Sequence, residues 1–219
     1  MIYAVVGFIG SGKGTVGDYL VNERGFIQES FARTLKDVVA VLFGYPRDML
    51  EGNTPESRKW REQVDEKWAR LLGIEDFTPR WALQHIGTDL FRKHFNEDMW
   101  LLTMQSRLED YGDKDVIITD CRFQNEIAFV QKMGGKIIRV DDAQPREWFY
   151  IAHRAAQGNA HSIRQMETYY KIHRSEWDWV NVKEDVIVRN DFNERSEKTM
   201  KAFHARINDA VNSIKLSAQ

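Results

Sequence analysis

Gly7-Phe8-Ile9-Gly10-Ser11-Gly12-Lys13-Gly14-Thr15 is the stretch on which the reading of the fold turns. Before it, Ile2-Tyr3-Ala4-Val5-Val6 is a short apolar, β-branched run of the kind buried on both faces of a parallel sheet. After it, Val16, Leu20 and Val21 recur at helical spacing. Strand, glycine-rich loop and helix in that order form the context of a phosphate-binding loop. The glycines let backbone N–H groups approach an anion closely, and the helix N-terminus adds its positive dipole end. Gly10, Ser11, Gly12, Lys13, Gly14, Thr15 and Val16 are therefore expected to cradle a nucleotide, with the Lys13 ammonium on its β- and γ-phosphates.

Outward from the loop, residues 25–29 read as a second strand, and Ser30 is expected to cap a helix with Phe31, Leu35, Val38, Val39 and Leu42 on one face. Lys36 lies on that helix near the carboxyl end of the second strand, where open α/β sheets bind ligands, and is a candidate for a second substrate's phosphate. Thr54-Pro55-Glu56 starts a helix expected to run to Leu72, with Arg58, Arg61 and an apolar stripe of Trp60, Val64, Trp68 and Leu71. Thr78-Pro79 starts another, bearing Arg80, Gln84, Gly87, Thr88, Asp89 and Arg92. A glycine inside a helix costs roughly 1 kcal/mol against alanine, so Gly87 points to close approach by a ligand or another backbone. Asn96-Glu97-Asp98 opens one more helix through Trp100 and Leu108.

Val116 to Asp120 is a third buried strand with Asp120-Cys121-Arg122 at its carboxyl end. An acid there can hold the hydration shell of Mg²⁺, and the arginine two residues on can grip a phosphate in bidentate fashion. Asn125-Glu126 opens a helix that stops at Gly134-Gly135, and residues 136–140 form a fourth strand. Residues 142–180 are charged and aromatic, placed where a lid that delivers arginines to phosphates would be inserted. Residues 185–188 are a fifth strand, Asp191 and Glu194 have capping-box spacing, and Met200, Phe203, Ile207, Val211 and Ile214 align on a closing helix whose end, residues 216–219, is expected to fray.

Composition narrows the class. Apolar residues make up 42% and charged residues 29% of the 219, as in an ordinary globular protein with a sizeable core. The net charge of −2 gives no global attraction to nucleic acid or anionic membrane, so neither is an expected partner. No apolar run approaches the roughly 20 residues of a membrane span. A chain that opens directly in a strand, with Cys121 as its single cysteine, fits a reducing cytoplasm. Five strands separated by helices indicate an α/β, three-layer fold with a five-stranded parallel sheet. We expect one P-loop kinase domain: a core of residues 1–29, 113–141 and 181–219, an acceptor-binding helical insert at 30–112, and a lid region at 142–180. Donor loop, acceptor pocket and lid together specify phosphoryl transfer to a small molecule with water excluded.

The sequence resembles the deoxynucleoside monophosphate kinases of tailed bacteriophages, within the nucleoside monophosphate kinase branch. The resemblance rests on Gly10-Ser11-Gly12-Lys13-Gly14-Thr15, Ser30-Phe31-Ala32 with Leu35-Lys36, Gln84-x-x-Gly87-Thr88-Asp89 with Arg92 and Trp100, Asp120-x-Arg122-Phe123-x-Asn125-Glu126, and His173-Arg174-Ser175-Glu176. It implies ATP-dependent phosphorylation of deoxynucleoside 5′-monophosphates with Mg²⁺. Lys13 and the loop amides would take the donor phosphates, Thr15 and Asp120 the hydrated metal, and Arg122 and Lys36 the acceptor phosphate supported by Arg61 and Arg92. Gln84, Thr88 and Asn125 fall to the acceptor, Asn190 to the neighbourhood of adenine, and Arg146, Arg154 and Arg164 to the lid. Such relatives also imply a homodimer. The family pattern has an arginine shortly after the fourth strand, where this chain has Asp141-Asp142 and reaches its first arginine at Arg146. Alternatives on the same scaffold are a kinase of dephospho-coenzyme A or phosphomevalonate type, and a P-loop ATPase switch.

Overall fold

In the computed structural model, which describes every residue except Pro145, Asn193, Arg195, Ala218 and Gln219, five strands form one parallel sheet in the order β2-β3-β1-β4-β5. They are β1 (Ile2–Val6), β2 (Ile27–Glu29), β3 (Val116–Ile118), β4 (Lys136–Asp141) and β5 (Val186–Arg189). The expected α/β sheet is thus observed. Helix α1 (Lys13–Arg24) carries the chain from β1 toward one edge, and α7 (Gln124–Lys132) carries it from β3 toward the other. Right-handed crossovers in opposite directions put these helices on opposite faces. β1 and β3 are neighbours whose connections depart to opposite faces, so a crevice opens between their carboxyl ends, the usual ligand position in such sheets. The closing helix α10 (Glu197–Ser217) packs Phe203, Ile207, Val211 and Ile214 with Tyr3, Val5, Val16 and Leu20 in one buried cluster.

The chain divides into two compact units, residues 1–30 with 112–219, and residues 31–111. The second is helical: α2 (Arg33–Phe43), α3 (Pro55–Arg61), α4 (Glu66–Leu72), α5 (Pro79–Gln84), a π-helical stretch His85–Arg92, and α6 (Met99–Glu109). Its core joins Val39, Leu50, Phe77 and Ala82, flanked by Trp60, Trp68 and Trp81. The single helix expected over residues 55–72 is two helices. Asp65 ends the run because its carboxylate accepts the Trp68 N–H at 3.0 Å and caps a new helix, a competition that aspartate often wins over helix interior. Consequently Val64 and Leu71 stand exposed, while Trp60 and Trp68 face the core.

Three further boundaries differ from expectation. Ser30 does not cap α2, whose N-cap is Ala32; the Ser30 hydroxyl donates instead to Asp120 at 2.6 Å. Asp191 and Glu194 do not cap α10. Ser196 and Thr199 do so reciprocally, Ser196 N–H to Thr199 Oγ1 at 2.8 Å and Thr199 N–H to Ser196 Oγ at 3.2 Å, while Asp191 pairs with Arg206. Helix α10 also continues through Leu216 and Ser217, with Ala218 and Gln219 outside the described residues. Gly87 is a close approach within its own unit: a Cβ there would sit 2.6 Å from the Leu35 side chain, and its carbonyl accepts the Trp100 indole N–H at 3.0 Å.

Candidate active site

Gly12 is the N-cap of α1 and has φ of 107°, a left-handed conformation that side-chain-bearing residues rarely hold. A Cβ on it would meet the Asn190 amide nitrogen at 2.7 Å, so glycine is required by conformation and by space. No side chain caps α1 and its first turn holds no acid, which leaves the helix N-terminus turned to whatever anion enters. The Ser11 hydroxyl is buried with no hydrogen-bond partner among the described residues, an orphan polar atom inside the loop. Asn190, just past β5, donates to the Ser11 carbonyl at 2.7 Å and ties the loop to the far strand. These features fit a polyphosphate-binding loop.

Lys13 folds back over its own loop. Its ammonium donates to the Gly7 and Phe8 carbonyls at 2.8 Å each. Burial pushes its pKa down to about 8; the Arg122 and Arg146 cations push the same way, and Glu176 and Asp142 oppose them. Four charged side chains are thus within electrostatic reach of the loop lysine. Of the three arginines expected of a lid, Arg146 is in that group. Arg154 stands exposed on α8 (Phe149–Ala156) and Arg164 exposed at the end of α9 (Ala160–Arg164).

The two arginines are held differently. Asp142 receives Arg146 through both terminal nitrogens, Nη1 at 3.0 Å and Nη2 at 2.7 Å, and this pair is 12% and 15% exposed. Those contacts hold the Asp142 carboxyl below the usual carboxylate range, against the burial that would raise it. The same guanidinium lies 4.2 Å from the centroid of the Phe8 ring, which also packs on Trp148, Phe149 and Trp179. The segment after β4 is therefore pinned to the phosphate loop by aromatic and cation–π contact. Arg122, by contrast, donates to Glu176 through Nη1 alone at 2.9 Å.

Asp120 follows β3 in the turn that carries Arg122. The register pairs Ala4 with Ile118, and continuing it sets Asp120 level with Val6, the residue before the loop's first glycine. One carboxylate at that position suits Mg²⁺, which keeps most of its water and binds through phosphates and one or two acids. No cluster of three or more His, Cys, Asp or Glu residues able to hold a metal occurs among the described residues. On the α10 side, a cleft of about 230 Å³ is lined by Gly10, Gly12, Thr15 and Asn190 together with Phe192, Glu194, Thr199, Met200 and Phe203. The last five were not foreseen. They share no motif, and only the packing of α10 against the loop brings them together.

The remaining sequence candidates lie in other surroundings. In the helical unit, Lys36 pairs with Glu51 at 2.5 Å, and Glu51 also takes Arg47. Arg61 donates to the Leu50 carbonyl at 3.3 Å while its buried Nε has no partner among the described residues, and burial and the nearby Arg80 lower its pKa. Gln84 and Thr88 are exposed and Arg92 is half-buried. Asn125, half-buried, is the second residue of α7. Glu126, which sequence reasoning gave only a helix-opening role, is 3% exposed and accepts the N–H groups of Arg122 and Phe123.

A parallel sheet whose first connection is a glycine-rich loop closing on a half-buried lysine defines the class of P-loop nucleotide-binding proteins. The family model for deoxynucleotide monophosphate kinase matches residues 49–162. A protein of Acanthamoeba polyphaga mimivirus, provisionally assigned as a deoxynucleotide monophosphate kinase, is 34% identical over 152 residues, spanning 64% of this chain and 74% of its own. The chain belongs to the deoxynucleotide monophosphate kinase family. Solved structures with similar topology include a dephospho-CoA kinase from Campylobacter jejuni (17% identity, 97% and 96% of the two chains, TM-score 0.43). A shikimate kinase from Bacteroides thetaiotaomicron is another (12% identity, 97% and 98%, TM-score 0.40). No helix among the described residues is long and apolar enough to cross a membrane.

Proposed function

We propose that the protein transfers the γ-phosphoryl group of ATP to a deoxynucleoside 5′-monophosphate, yielding ADP and the deoxynucleoside diphosphate. The observation that carries the reading is the phosphate loop itself, where the uncapped N-terminus of α1, the buried Ser11 hydroxyl and the Lys13 ammonium meet, with the Arg122 and Arg146 cations close enough to lower the lysine's pKa. Such a site is stabilised by a polyphosphate anion. The nucleophile is already an anionic phosphate oxygen, so the protein needs no strong general base. Its work is to position two anions and neutralise the charge that spreads over the transferring group.

In this reading the loop amides and Lys13 hold the donor phosphates, and Arg122 offers its Nε–Nη2 edge to the acceptor or transferring phosphate. Arg146 reaches a phosphate by exchanging Asp142 for it. Thr15 and Asp120 would hold a hydrated Mg²⁺, which would supply neutralisation of phosphate charge. Asn190 and the cleft beside it take the nucleoside of ATP. Lys36, Arg61, Arg92, Gln84, Thr88 and Asn125 serve the acceptor. Residues 30–112 act as the acceptor-binding insert and 142–180 as the lid. We assign the enzyme to the cytoplasm, as a homodimeric supplier of DNA precursors in the manner of the bacteriophage kinases that the sequence resembles. The test is a competition of the four deoxynucleoside monophosphates, their ribose counterparts and dephospho-coenzyme A for ATP-dependent ADP release. Preferential turnover of at least one deoxynucleoside monophosphate supports the reading, and turnover of dephospho-coenzyme A alone overturns it.

A further inference from the structure

The turn that carries Arg122 is braced by three carboxylates that the reading above leaves without a task. Glu126, 3% exposed, accepts the backbone N–H of Arg122 at 2.9 Å and of Phe123 at 3.1 Å. Asp178, also 3% exposed, accepts the Gln124 N–H at 3.0 Å and Arg174 Nε at 2.9 Å. Carboxylates are seldom buried so fully unless charged or backbone donors hold them. Here their donors are successive N–H groups of residues 122–124, so the backbone of the turn is fixed from two sides.

Fixing the backbone does not fix the guanidinium. Arg122 has a long side chain that is 43% exposed, and such a chain keeps several rotamers unless something engages its tip. Glu176 does so. It sits in the 3₁₀ turn Arg174–Glu176, two residues before Asp178, and takes Arg122 Nη1 at 2.9 Å, with Ser175 Oγ 3.5 Å from the same nitrogen. Among the described residues only Nη1 is engaged, so the Nε–Nη2 edge stays open to a bidentate anion. The fork of Arg146 is closed by comparison, since Asp142 occupies both of its terminal nitrogens.

We propose that Glu176 is a positioning residue that aims the open edge of Arg122 at the transferring phosphate, with Asp178 fastening the segment that carries it. The inference rests on the reading of Arg122 as a phosphate ligand. A double-mutant cycle on acceptor kcat/KM tests it. Glu176→Ala is expected to lower the value about 100-fold, the scale of a misplaced reacting partner. Glu176→Gln keeps an oxygen that accepts from Nη1 and should recover activity to within about tenfold of wild type. In an Arg122→Ala background, Glu176→Ala should cost less than about twofold more, because its effect passes through the missing guanidinium. Thermal unfolding of each variant checks that it is folded, and Glu176→Gln keeps the test sound should Glu176→Ala not fold. A Glu176→Ala enzyme with wild-type kcat/KM, or one whose loss recurs in full without Arg122, overturns the inference while leaving the functional reading intact. Wild-type protein that makes no diphosphate from any monophosphate overturns both, and that result is seen before any variant is assayed.

Discussion

Lys13 and Lys36 are both largely enclosed lysines, one in the phosphate loop and one in the helical unit, yet their electrostatics differ. Lys13 donates to two carbonyls and, among the described residues, forms no ion pair, so desolvation and two neighbouring arginines depress its pKa to about 8. Lys36, 12% exposed, is paired with Glu51, which Arg47 shares and which Asp37 extends through Arg47. Those partners hold the Glu51 carboxyl below its usual range despite its burial. One lysine has no carboxylate against it among the described residues and the other has one built in. A polyphosphate entering the first supplies the counter-charge that Lys13 lacks; an anion reaching Lys36 must compete with a carboxylate already there.

Removing each lysine should expose that difference most sharply. Lys13→Met should lower kcat by about 10³ or more, the scale of a lost oxyanion donor or beyond. The melting temperature should stay level or rise, because an uncompensated buried cation is removed. Steady-state kinetics and calorimetry check both. Lys36→Met should raise the acceptor KM about 10- to 100-fold, the worth of a charge-assisted hydrogen bond, and leave the KM for ATP unchanged. An unchanged acceptor KM would make Lys36 a structural partner of Glu51 and nothing more.

Proton linkage gives a finer test of the same contrast. A lysine depressed to about 8 is uncharged in the free protein above that pH, and bound phosphates restore its charge. ATP binding should therefore take up about three-quarters of a proton at pH 8.5, and affinity should fall by up to about tenfold per pH unit above 8. Calorimetry in buffers of differing ionisation enthalpy measures the uptake, which Lys13→Met should abolish. The same depression makes folding stability rise between pH 8 and 10.5, where the unfolded chain binds the extra proton. Smallest of all, Asn190→Ala loses the bond to the Ser11 carbonyl and should raise the KM for ATP about fivefold.

What could be read from the chain followed the range of the forces involved. The loop, its strand and its helix are contiguous, and the glycines and Lys13 declare their conformation locally, as positive φ at Gly10 and Gly12 bears out. Buried strands were legible because apolar β-branched runs have little else to do. Helix ends were less so: Asp65 and Ser196 are single polar residues whose capping depends on a choice among several nearby candidates. Side-chain partners were hidden almost entirely. Nothing local announces that Glu51 meets Lys36, that Glu176 meets Arg122, or that Phe192 and Met200 line a cleft with Gly12. These contacts join positions far apart in sequence, and charge alone does not say which acid a given base will choose.

Following the γ-phosphoryl group tests the central claim most directly. With γ-labelled ATP, Mg²⁺ and a deoxynucleoside monophosphate, the account predicts label in the β-position of the deoxynucleoside diphosphate, at a rate that depends on the monophosphate. Label released as orthophosphate at the same rate with or without a monophosphate would contradict it.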